Sequence, residues 1–286
     1  MNKDASQTNN SALKNQKSKI VILGAAGRMG KALIRCIMEE KVSGLELVGA
    51  VDLWDSPDLN SDAGLMAGTK EAGVSLINNL EEVGKDADVI VDFSSHFGTA
   101  GNAPRIAEWG TAWVIGTTGL NEEELAAIDD AAQKTAVVLS GNMSLGINLL
   151  CNLVEAGARA LKGKGYDIEV IERHHNRKKD APSGTALMLG RAAADGYDWN
   201  LKDVQVDGRA GLPGERPEKE IGFHAIRGGD IVGEHSVIYS TLGETVTISH
   251  SAHTRDTFVR GALAAGEWVA GQKPGIYNMQ DVLGLK

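Results

Sequence analysis

The sequence predicts an α/β protein, with a doubly wound parallel sheet first and an α+β domain with an open mixed sheet second. Up to about residue 145, short apolar runs alternate with amphipathic stretches, and parallel strands need such helical crossovers. Beyond that point, three strand-like runs follow one another with glycine turns and no helices between them, which favours antiparallel pairing. The 286 residues suffice for two domains with their own cores.

The first part contains a series of buried strands and amphipathic helices. Runs rich in β-branched residues predict strands at 19–25, 45–52, 87–94, 112–118 and 136–142. Met29, Leu33, Ile37 and Met38 share one face of a helix that follows the first strand. A weak helix is predicted over 98–110, and a strong one over 121–134 with Asn121 as its cap. Residues 54–73 are polar and predict a loop.

In the second part, helices come before the run of strands. A long helix over 146–163 precedes a strand over 166–175, and a helix over 183–196 begins after its cap, Ser183. An irregular, charged segment over 197–219 leads into the three strand-like runs, at 222–229, 233–243 and 244–252. A last helix is predicted over 256–271.

The first 18 residues, the length of the apolar runs and the net charge argue against several classes of protein. Residues 1–18 are polar and predict a disordered tail, since they lack the apolar centre of a signal peptide. Apolar runs stay below the length of a membrane span, so we expect a cytoplasmic protein. The net charge of -9 argues against a general nucleic-acid binder. Cys36 and Cys151 lie in apolar stretches and are expected to be buried.

A glycine-rich turn follows the first predicted strand and opens a helix. In "GAAGRMG", Gly24 allows the tight turn, Gly27 allows close approach of a pyrophosphate, and Gly30 allows close packing of helix and strand. Asp52 ends the second strand, where a carboxylate accepts hydrogen bonds from a ribose. The pattern predicts a Rossmann-like nucleotide site and favours NAD(H), because Asp52 repels a 2′-phosphate. An α/β domain without cofactor remains an alternative.

The segment "ERHHNRKKDAPSGTA" at 172–186 concentrates basic residues in an acidic protein. His174 or His175 can donate a proton near neutral pH, and Lys178 can bind a carboxylate or protonate an atom. The backbone N–H groups of Gly184 and Thr185 begin a predicted helix, which favours an anion. A small carboxylated substrate fits this cluster. A solvated surface loop, a nucleic-acid patch and a metal site remain alternatives.

Five motifs together resemble the 4-hydroxy-tetrahydrodipicolinate reductase family, also called dihydrodipicolinate reductase. They are "GAAGRMG", "VDFS", "GTTG", the basic segment and "GGDIVGEHSVIYS", and the resemblance runs from about residue 19 to the C-terminus. It implies an NAD(P)H-dependent reductase of lysine and diaminopimelate biosynthesis. In that reaction water is lost, hydride goes to C4 of the substrate, and a proton follows at the neighbouring carbon.

The resemblance also implies roles for individual residues. His174 and Lys178 match the catalytic residues, and His175, Gly184 and Thr185 match substrate contacts. The cofactor-binding positions match Gly24, Ala25, Ala26, Gly27, Arg28, Met29, Asp52, Gly116, Thr117, Thr118, Ser140, Gly141, Asn142 and Met143. No metal, nucleic acid or membrane is implied.

The composition and the pattern of elements divide the chain into a tail and two domains, and the family implies a homotetramer and a C-terminal helix that returns to the first domain. A disordered tail over 1–18 precedes a dinucleotide-binding domain over 19–145, which residues of about 254–286 complete. Residues 146–253 form the substrate-binding and tetramerisation domain, and we expect domain closure to bring the two sites together.

Two positions depart from the family pattern. Some relatives carry Arg where this chain has Leu53, which supports a preference for NADH over NADPH, although Arg28 or Lys31 can compensate. Met143 stands where an aromatic residue is common. A non-catalytic nucleotide sensor and a different dehydrogenase on the same fold are the competing interpretations.

Overall fold

The computed structural model describes residues 17–39 and 44–285. The helices in these residues are α1 (Arg28–Met38), α2 (Ala63–Met66), α3 (His96–Trp109), α4 (Glu122–Ala132), α5 (Leu145–Leu161), α6 (Gly184–Gly196), α7 (Leu201–Val204), α8 (Asp256–Val269) and α9 (Met279–Val282). A 3₁₀ turn spans Leu80–Glu82.

The strands in the same residues are β1 (Ser18–Leu23), β2 (Leu45–Val51), β3 (Leu76–Ile77), β4 (Val89–Asp92), β5 (Ala112–Ile115), β6 (Ala136–Leu139), β7 (Asp167–His174), β8 (Gln205–Asp207), β9 (Ile221–Arg227), β10 (Gly233–Thr241), β11 (Glu244–Ala252) and β12 (Gly275–Tyr277). The tail is predicted over 1–18, and its residues 1–16 lie outside the described residues. Its last residue, Ser18, is already the first residue of β1.

The chain divides into two compact units. One consists of the described residues up to Met143 together with Phe258–Val282, and the other begins at Ser144, runs to Thr257 and includes the chain end from Leu283. No helix in the described ranges is both long and apolar enough to cross a membrane.

The first unit is built on a parallel sheet in the order β12-β6-β5-β4-β1-β2-β3. The reversal of strand order between β1 and β4 opens a crevice at the carboxyl ends of these strands, where open α/β sheets bind ligands. Apolar strand side chains such as Val21, Ile90, Trp113 and Val137 fill the core. This architecture confirms the predicted doubly wound fold.

The second unit is an open mixed sheet in the order β11-β10-β7-β9-β8. β10 pairs antiparallel with β7 and β11, whereas β9 pairs parallel with β7 and β8. The expectation of antiparallel pairing therefore holds for the last two runs and is wrong for 222–229. The connection after β9 passes the end of β7, where the Gly228 N–H donates to the His174 carbonyl at 2.9 Å, so the two runs lie on opposite sides of β7.

Each face of β7 has its own surroundings. Ile168 and Val170 are fully buried in a core with α5 and α6 residues such as Val154 and Leu189. On the opposite face, the carboxylate of Glu169 binds Arg209 and Arg216. Alternation along the strand thus separates an apolar layer from an ionic one.

Short elements in the polar segments were not predicted. The expected loop over 54–73 contains α2, whose cap Asp62 accepts a hydrogen bond from the Leu65 N–H at 3.0 Å. The irregular segment over 197–219 contains α7 and β8, and β12 adds a parallel edge strand. Such elements of three or four residues give no periodic signal. Cys36 and Cys151 are both buried, as expected.

Candidate active site

The glycine-rich turn joins β1 to α1 at the crevice of the first sheet. Gly24 has φ +80°, and a Cβ added there would lie 2.6 Å from the Phe93 carbonyl oxygen. A Cβ on Gly30 would lie 2.2 Å from the Gly24 carbonyl oxygen, so only glycine lets α1 pack against the turn. Gly27 precedes the first helical residue and leaves the helix N-terminus accessible to an anion.

Asp52, directly after β2, ties that strand to the turn. Its carboxylate accepts hydrogen bonds from the Ala26 N–H at 2.7 Å and the Leu53 N–H at 2.8 Å. A carboxylate has about four lone-pair sites, so acceptor capacity remains for a ligand hydroxyl. The sequence-predicted position of the acid is thus occupied by a fixed side chain rather than by a mobile one.

A cleft of about 660 Å³ runs along this edge of the first unit. Of the predicted cofactor residues, Gly24, Ala26, Gly27 and Asp52 line the cleft. Sequence reasoning missed further lining residues on the loops after β2, β3 and β4 and on α3, among them Trp54, Asp55, Asn79, Ser94 and Arg105. These loops have no local motif, and only the order of the strands brings them together.

The other predicted cofactor residues lie elsewhere in the first unit. Ala25 is buried, and Arg28 and Met29 form the first turn of α1. Gly116, Thr117 and Thr118 follow β5, and residues 140–143 follow β6, at the same carboxyl edge of the sheet but outside the lining of the cleft. The predicted segments therefore share an edge of the sheet without all meeting in one cavity.

A buried carboxylate underlies the loops after β4 and β5. Asp92 Oδ1 accepts hydrogen bonds from the Ser94 N–H at 2.9 Å, the Ser94 hydroxyl at 2.6 Å and the Thr117 hydroxyl at 3.3 Å. Burial raises the pKa of Asp92, against the effect of these donors. The hydrogen bonds to the Asp92 carboxyl group thus hold the loops after β4 and β5 in place.

In the second unit, Glu172 and His174 lie on the helix-facing side of β7. His174 Nδ1 lies 2.6 Å from Glu172 Oε2, and both carboxylate oxygens accept from the Arg227 guanidinium at 2.7 Å. Burial alone would raise the pKa of Glu172, but the hydrogen bonds from Arg227 and His174 outweigh it and hold that pKa below its usual value. Glu172 is therefore a charged carboxylate that is 1% exposed.

Lys178 and His175 lie on the loop that follows β7. Lys178 Nζ is 2.9 and 3.0 Å from the two carboxylate oxygens of Asp180, and this pairing lowers the pKa of Asp180. His175 Nε2 lies 3.5 Å from Arg255 Nη2. Desolvation, together with the nearby positive charge of Arg255, lowers the pKa of His175. The loop over 175–182 thus carries the cations Arg177, Lys178 and Lys179, and its one carboxylate is that of Asp180.

The predicted anion site is the start of α6. The Ser183 hydroxyl accepts the Ala186 N–H at 3.1 Å, which confirms the predicted cap, and Gly184 and Thr185 follow as the first helical residues. A 13-residue helix directs a partial positive charge to this end. The structure therefore places the helix N-terminus immediately after the cationic loop.

Sequence reasoning missed four residues of this site: Glu172, Arg227, His235 and Arg255. One signal was available, because Glu172 lies two residues before His174 and alternation puts both on one strand face. His235 comes from β10, where its Nε2 lies 3.2 Å from the Ser183 hydroxyl. Arg227 and His235 are far from β7 in sequence and reach it only through sheet pairing.

The arrangement in the second unit can perform acid–base chemistry on an anion. A carboxylate holds Nδ1 of His174, which makes Nε2 the nitrogen that gives up or takes a proton. Lys178, Arg255 and the start of α6 supply positive charge, and His175 lies beside them as a hydrogen-bonding group. In the part of the chain that the structure describes, His, Cys, Asp and Glu side chains form no group that could hold a metal ion.

Comparisons with known proteins cover both units. Sequence models of a family match residues 18–143 ("Dihydrodipicolinate reductase, N-terminus") and 146–283 ("Dihydrodipicolinate reductase, C-terminus"). The 4-hydroxy-tetrahydrodipicolinate reductase of Alkalilimnicola ehrlichii is 50% identical over 268 residues, which cover 94% of this chain and 99% of the relative. That of Sinorhizobium fredii is 49% identical and covers 93% and 97%.

Solved structures share the fold. Dipicolinate-bound dihydrodipicolinate reductase from Paenisporosarcina sp. TG-14 matches with a TM-score of 0.73 at 22% identity, over 93% of this chain and 99% of that one. An amine dehydrogenase from Mycobacterium smegmatis matches with a TM-score of 0.56 at 14% identity, over 93% and 96%. At these identities the likeness establishes the architecture.

Proposed function

The chain belongs to the dihydrodipicolinate reductase family, and from this premise we propose how its two units reduce 4-hydroxy-tetrahydrodipicolinate to tetrahydrodipicolinate. The enzyme is an oxidoreductase of lysine and diaminopimelate biosynthesis. It is pyridine-nucleotide-dependent, as its family is. The observation that supports the assignment of roles is the buried Glu172–His174 pair beside a cationic loop and a helix N-terminus.

The residues of the first unit fit a dinucleotide. The turn at Gly24 leaves no room for a Cβ against the backbone that follows β4, so it forms a cradle of bare backbone at the start of α1. Gly27 and the helix N-terminus would hold the pyrophosphate, and Asp52 would hold the adenosine ribose. When bound, the cofactor supplies hydride. The segments after β5 and β6 would contact its nicotinamide half.

NADH is the preferred cofactor in this proposal. Asp52 and Asp55 both line the cleft, and two carboxylates repel a 2′-phosphate. Lys31, a possible compensating cation, is already paired with Asp58 at 2.7 Å. Leu53, which is 62% exposed at the cleft, offers no positive charge.

The second unit binds the substrate and supplies the proton. The N–H groups of Gly184 and Thr185 bind one substrate carboxylate, while Arg255 provides charge for the second and His175 contacts it. Hydride adds at C4 after loss of water, and the proton passes from Nε2 of His174 to the neighbouring ring carbon, so two hydrogens are added across the double bond. Lys178, held by Asp180, is the second proton-transfer residue.

Assembly and location follow from the family and from the composition. We propose a homotetramer formed through the second unit in the cytoplasm. Size measurement in solution by light scattering at several concentrations tests the assembly, and a monomer at all concentrations would contradict it.

Paired steady-state kinetics with NADH and NADPH test the proposed function. The substrate is made freshly from pyruvate and aspartate semialdehyde, and wild type is compared with His174→Gln and Lys178→Ala. Loss of general acid catalysis lowers kcat by about 10²- to 10⁴-fold, while the dissociation constant of the cofactor stays unchanged. Exposed neighbours of the same type give matched controls, in Lys179→Ala and His253→Gln.

The outcomes separate the competing interpretations. A wild-type protein that binds the cofactor but shows no turnover is a sensor or acts on another substrate. Full activity of His174→Gln would show that His174 does not take part in proton transfer. A higher kcat/KM for NADPH than for NADH contradicts the cofactor preference.

A further inference from the structure

Glu172 is a buried charge that the proposed proton transfer does not itself use. We propose that Glu172 is the positioning residue of the acid–base site. It fixes His174 directly, and through Arg227 it fixes the loop after β7 that carries Lys178. This inference rests on the proposed function. A buried carboxylate is unfavourable unless it is paired and hydrogen-bonded, so its surroundings indicate what it holds.

All four groups that reach Glu172 are positioned as donors. Oε2 faces His174 Nδ1 at 2.6 Å and Arg227 Nη1 at 2.7 Å. Oε1 accepts from Arg227 Nη2 at 2.7 Å and from the Ser183 N–H at 3.1 Å. An ionised carboxylate only accepts, so His174 must keep its proton on Nδ1. An amide in the same place would present its NH₂ group to at least one of these donors.

The consequence for His174 is a fixed tautomer and a fixed ring. With Nδ1 protonated, Nε2 is left to receive and deliver the proton. A Cβ added to Gly233 would lie 3.1 Å from that Nε2 atom, and the His235 ring packs edge-on with its centroid 5.1 Å away. The imidazole is therefore held by a hydrogen bond on one nitrogen and by packing around the ring.

Arg227 extends the same control to the loop. Its Nη2 atom donates to Glu172 and also to the Asp180 carbonyl at 2.7 Å, and the Asp180 carboxylate holds Lys178 Nζ. One carboxylate thus connects both proposed proton-transfer residues. The Arg227 fork also balances its charge, so the negative charge does not have to be neutralised by protonation of His174.

The opposite face of β7 provides a matched control. Glu169 lies three residues earlier, accepts from Arg209 at 2.7 and 3.1 Å, and has His224 Nε2 at 2.7 Å. The residue types and distances resemble those around Glu172, but none of these groups belongs to the proposed site. Glu169 is half-buried whereas Glu172 is buried, and a structural role for a Glu–Arg–His group alone would predict losses on substitution at both positions.

The test is a double-mutant cycle of Glu172→Gln and His174→Gln in the full-length enzyme, with Glu169→Gln as control. If Glu172 acts through His174, Glu172→Gln lowers kcat by about 10²-fold alone, and by less than about twofold when His174 is already Gln. The KM for NADH stays unchanged in each variant. Glu169→Gln keeps kcat within about twofold of wild type.

Several outcomes overturn the inference, and they differ from failure of the proposed function. An equal loss of kcat in both backgrounds, or wild-type kcat in folded Glu172→Gln, excludes positioning while His174 keeps its role. If Glu172→Gln does not fold, Glu172→Asp is measured instead, because it keeps the negative charge that pairs with Arg227 on a shorter side chain. An unchanged kcat in Glu172→Asp also excludes the positioning role. Full activity of His174→Gln alone refutes the proposed function and the positioning role together.

Discussion

The buried imidazole of His235 predicts a loss of stability in mildly acidic solution. His235 is 5% exposed, and within the described residues its Nδ1 atom has no hydrogen-bond partner. Burial lowers the pKa of His235 to about 3, the charge of His174 adds to this, and the charge of Glu172 opposes it. His250, its partner on β11, and Lys178 lower it further. The folded protein therefore keeps this side chain neutral where the unfolded chain protonates it.

The sign and the size of the effect follow from proton linkage. Below an unfolded-state pKa of 6.5 the unfolded chain binds one more proton at this position, so the free energy of unfolding falls as the pH falls. The loss is about 1.4 kcal/mol for each pH unit below that value and continues until the folded pKa is reached. Between about pH 7.5 and about pH 5, His235 alone lowers the free energy of unfolding by about 2 kcal/mol.

Urea unfolding at fixed protein concentration measures this free energy at each pH. His235→Gln keeps a hydrogen-bonding group for Ser183 and cannot be protonated, so its loss over the same range is smaller than that of wild type by about 2 kcal/mol. His253→Gln, at an exposed position, keeps the wild-type loss. The reasoning is refuted if His235→Gln loses as much stability as wild type, because another group then binds the proton.

Three further substitutions test the cofactor cleft of the first unit and the hydrophobic core of the second. Gly24→Ala forces a Cβ into the backbone after β4 at a positive φ, and should weaken cofactor binding, measured by fluorescence titration, by at least about tenfold. Leu53→Arg adds a cation at the cleft and should raise the ratio of kcat/KM for NADPH to that for NADH by about tenfold. Tyr239→Phe removes the hydroxyl that donates to the Val154 carbonyl at 2.6 Å, and should lower the free energy of urea unfolding by about 1–2 kcal/mol.

Each of these predictions has a control or a contradicting result. Gly101→Ala, where the added Cβ meets nothing within 4 Å apart from its chain neighbours and its own helix backbone, should leave cofactor binding unchanged. Leu65→Arg, at an exposed leucine of α2 outside the cleft, should leave the cofactor ratio unchanged. Unaltered stability of Tyr239→Phe would show that the hydroxyl contributes nothing to this core.

Local features of the site could be predicted from the sequence. The turn at Gly24 depends on glycine at fixed spacings, and the cap of α4 depends on Asn121, whose side chain accepts the Glu124 N–H at 2.9 Å in the structure. Both signals lie within one turn of chain. The predicted cap Ser183 is of the same kind.

The partners of the acid–base site could not be predicted in this way. Arg227 lies 55 residues from Glu172, and the two meet because β9 pairs parallel with β7. The sequence order of the strands suggested antiparallel pairing instead, since nothing local indicates that the connection after β9 crosses the end of β7. The pairing of strands, and with it the guanidinium of the site, depends on contacts across the whole unit.

The alternation along β7 has a consequence for how the gene can vary. Even-numbered positions from Ile168 to His174 face the helices and odd-numbered positions face the ionic layer, so insertion or deletion of one codon inside β7 would turn every residue on one side of the change to the opposite face. An insertion before Glu169 would turn Glu169 toward the helices and Glu172 toward the ionic layer in a single step. Length changes among descendants of this gene should therefore accumulate in the loops beyond either end of β7, where the parity of the strand is preserved.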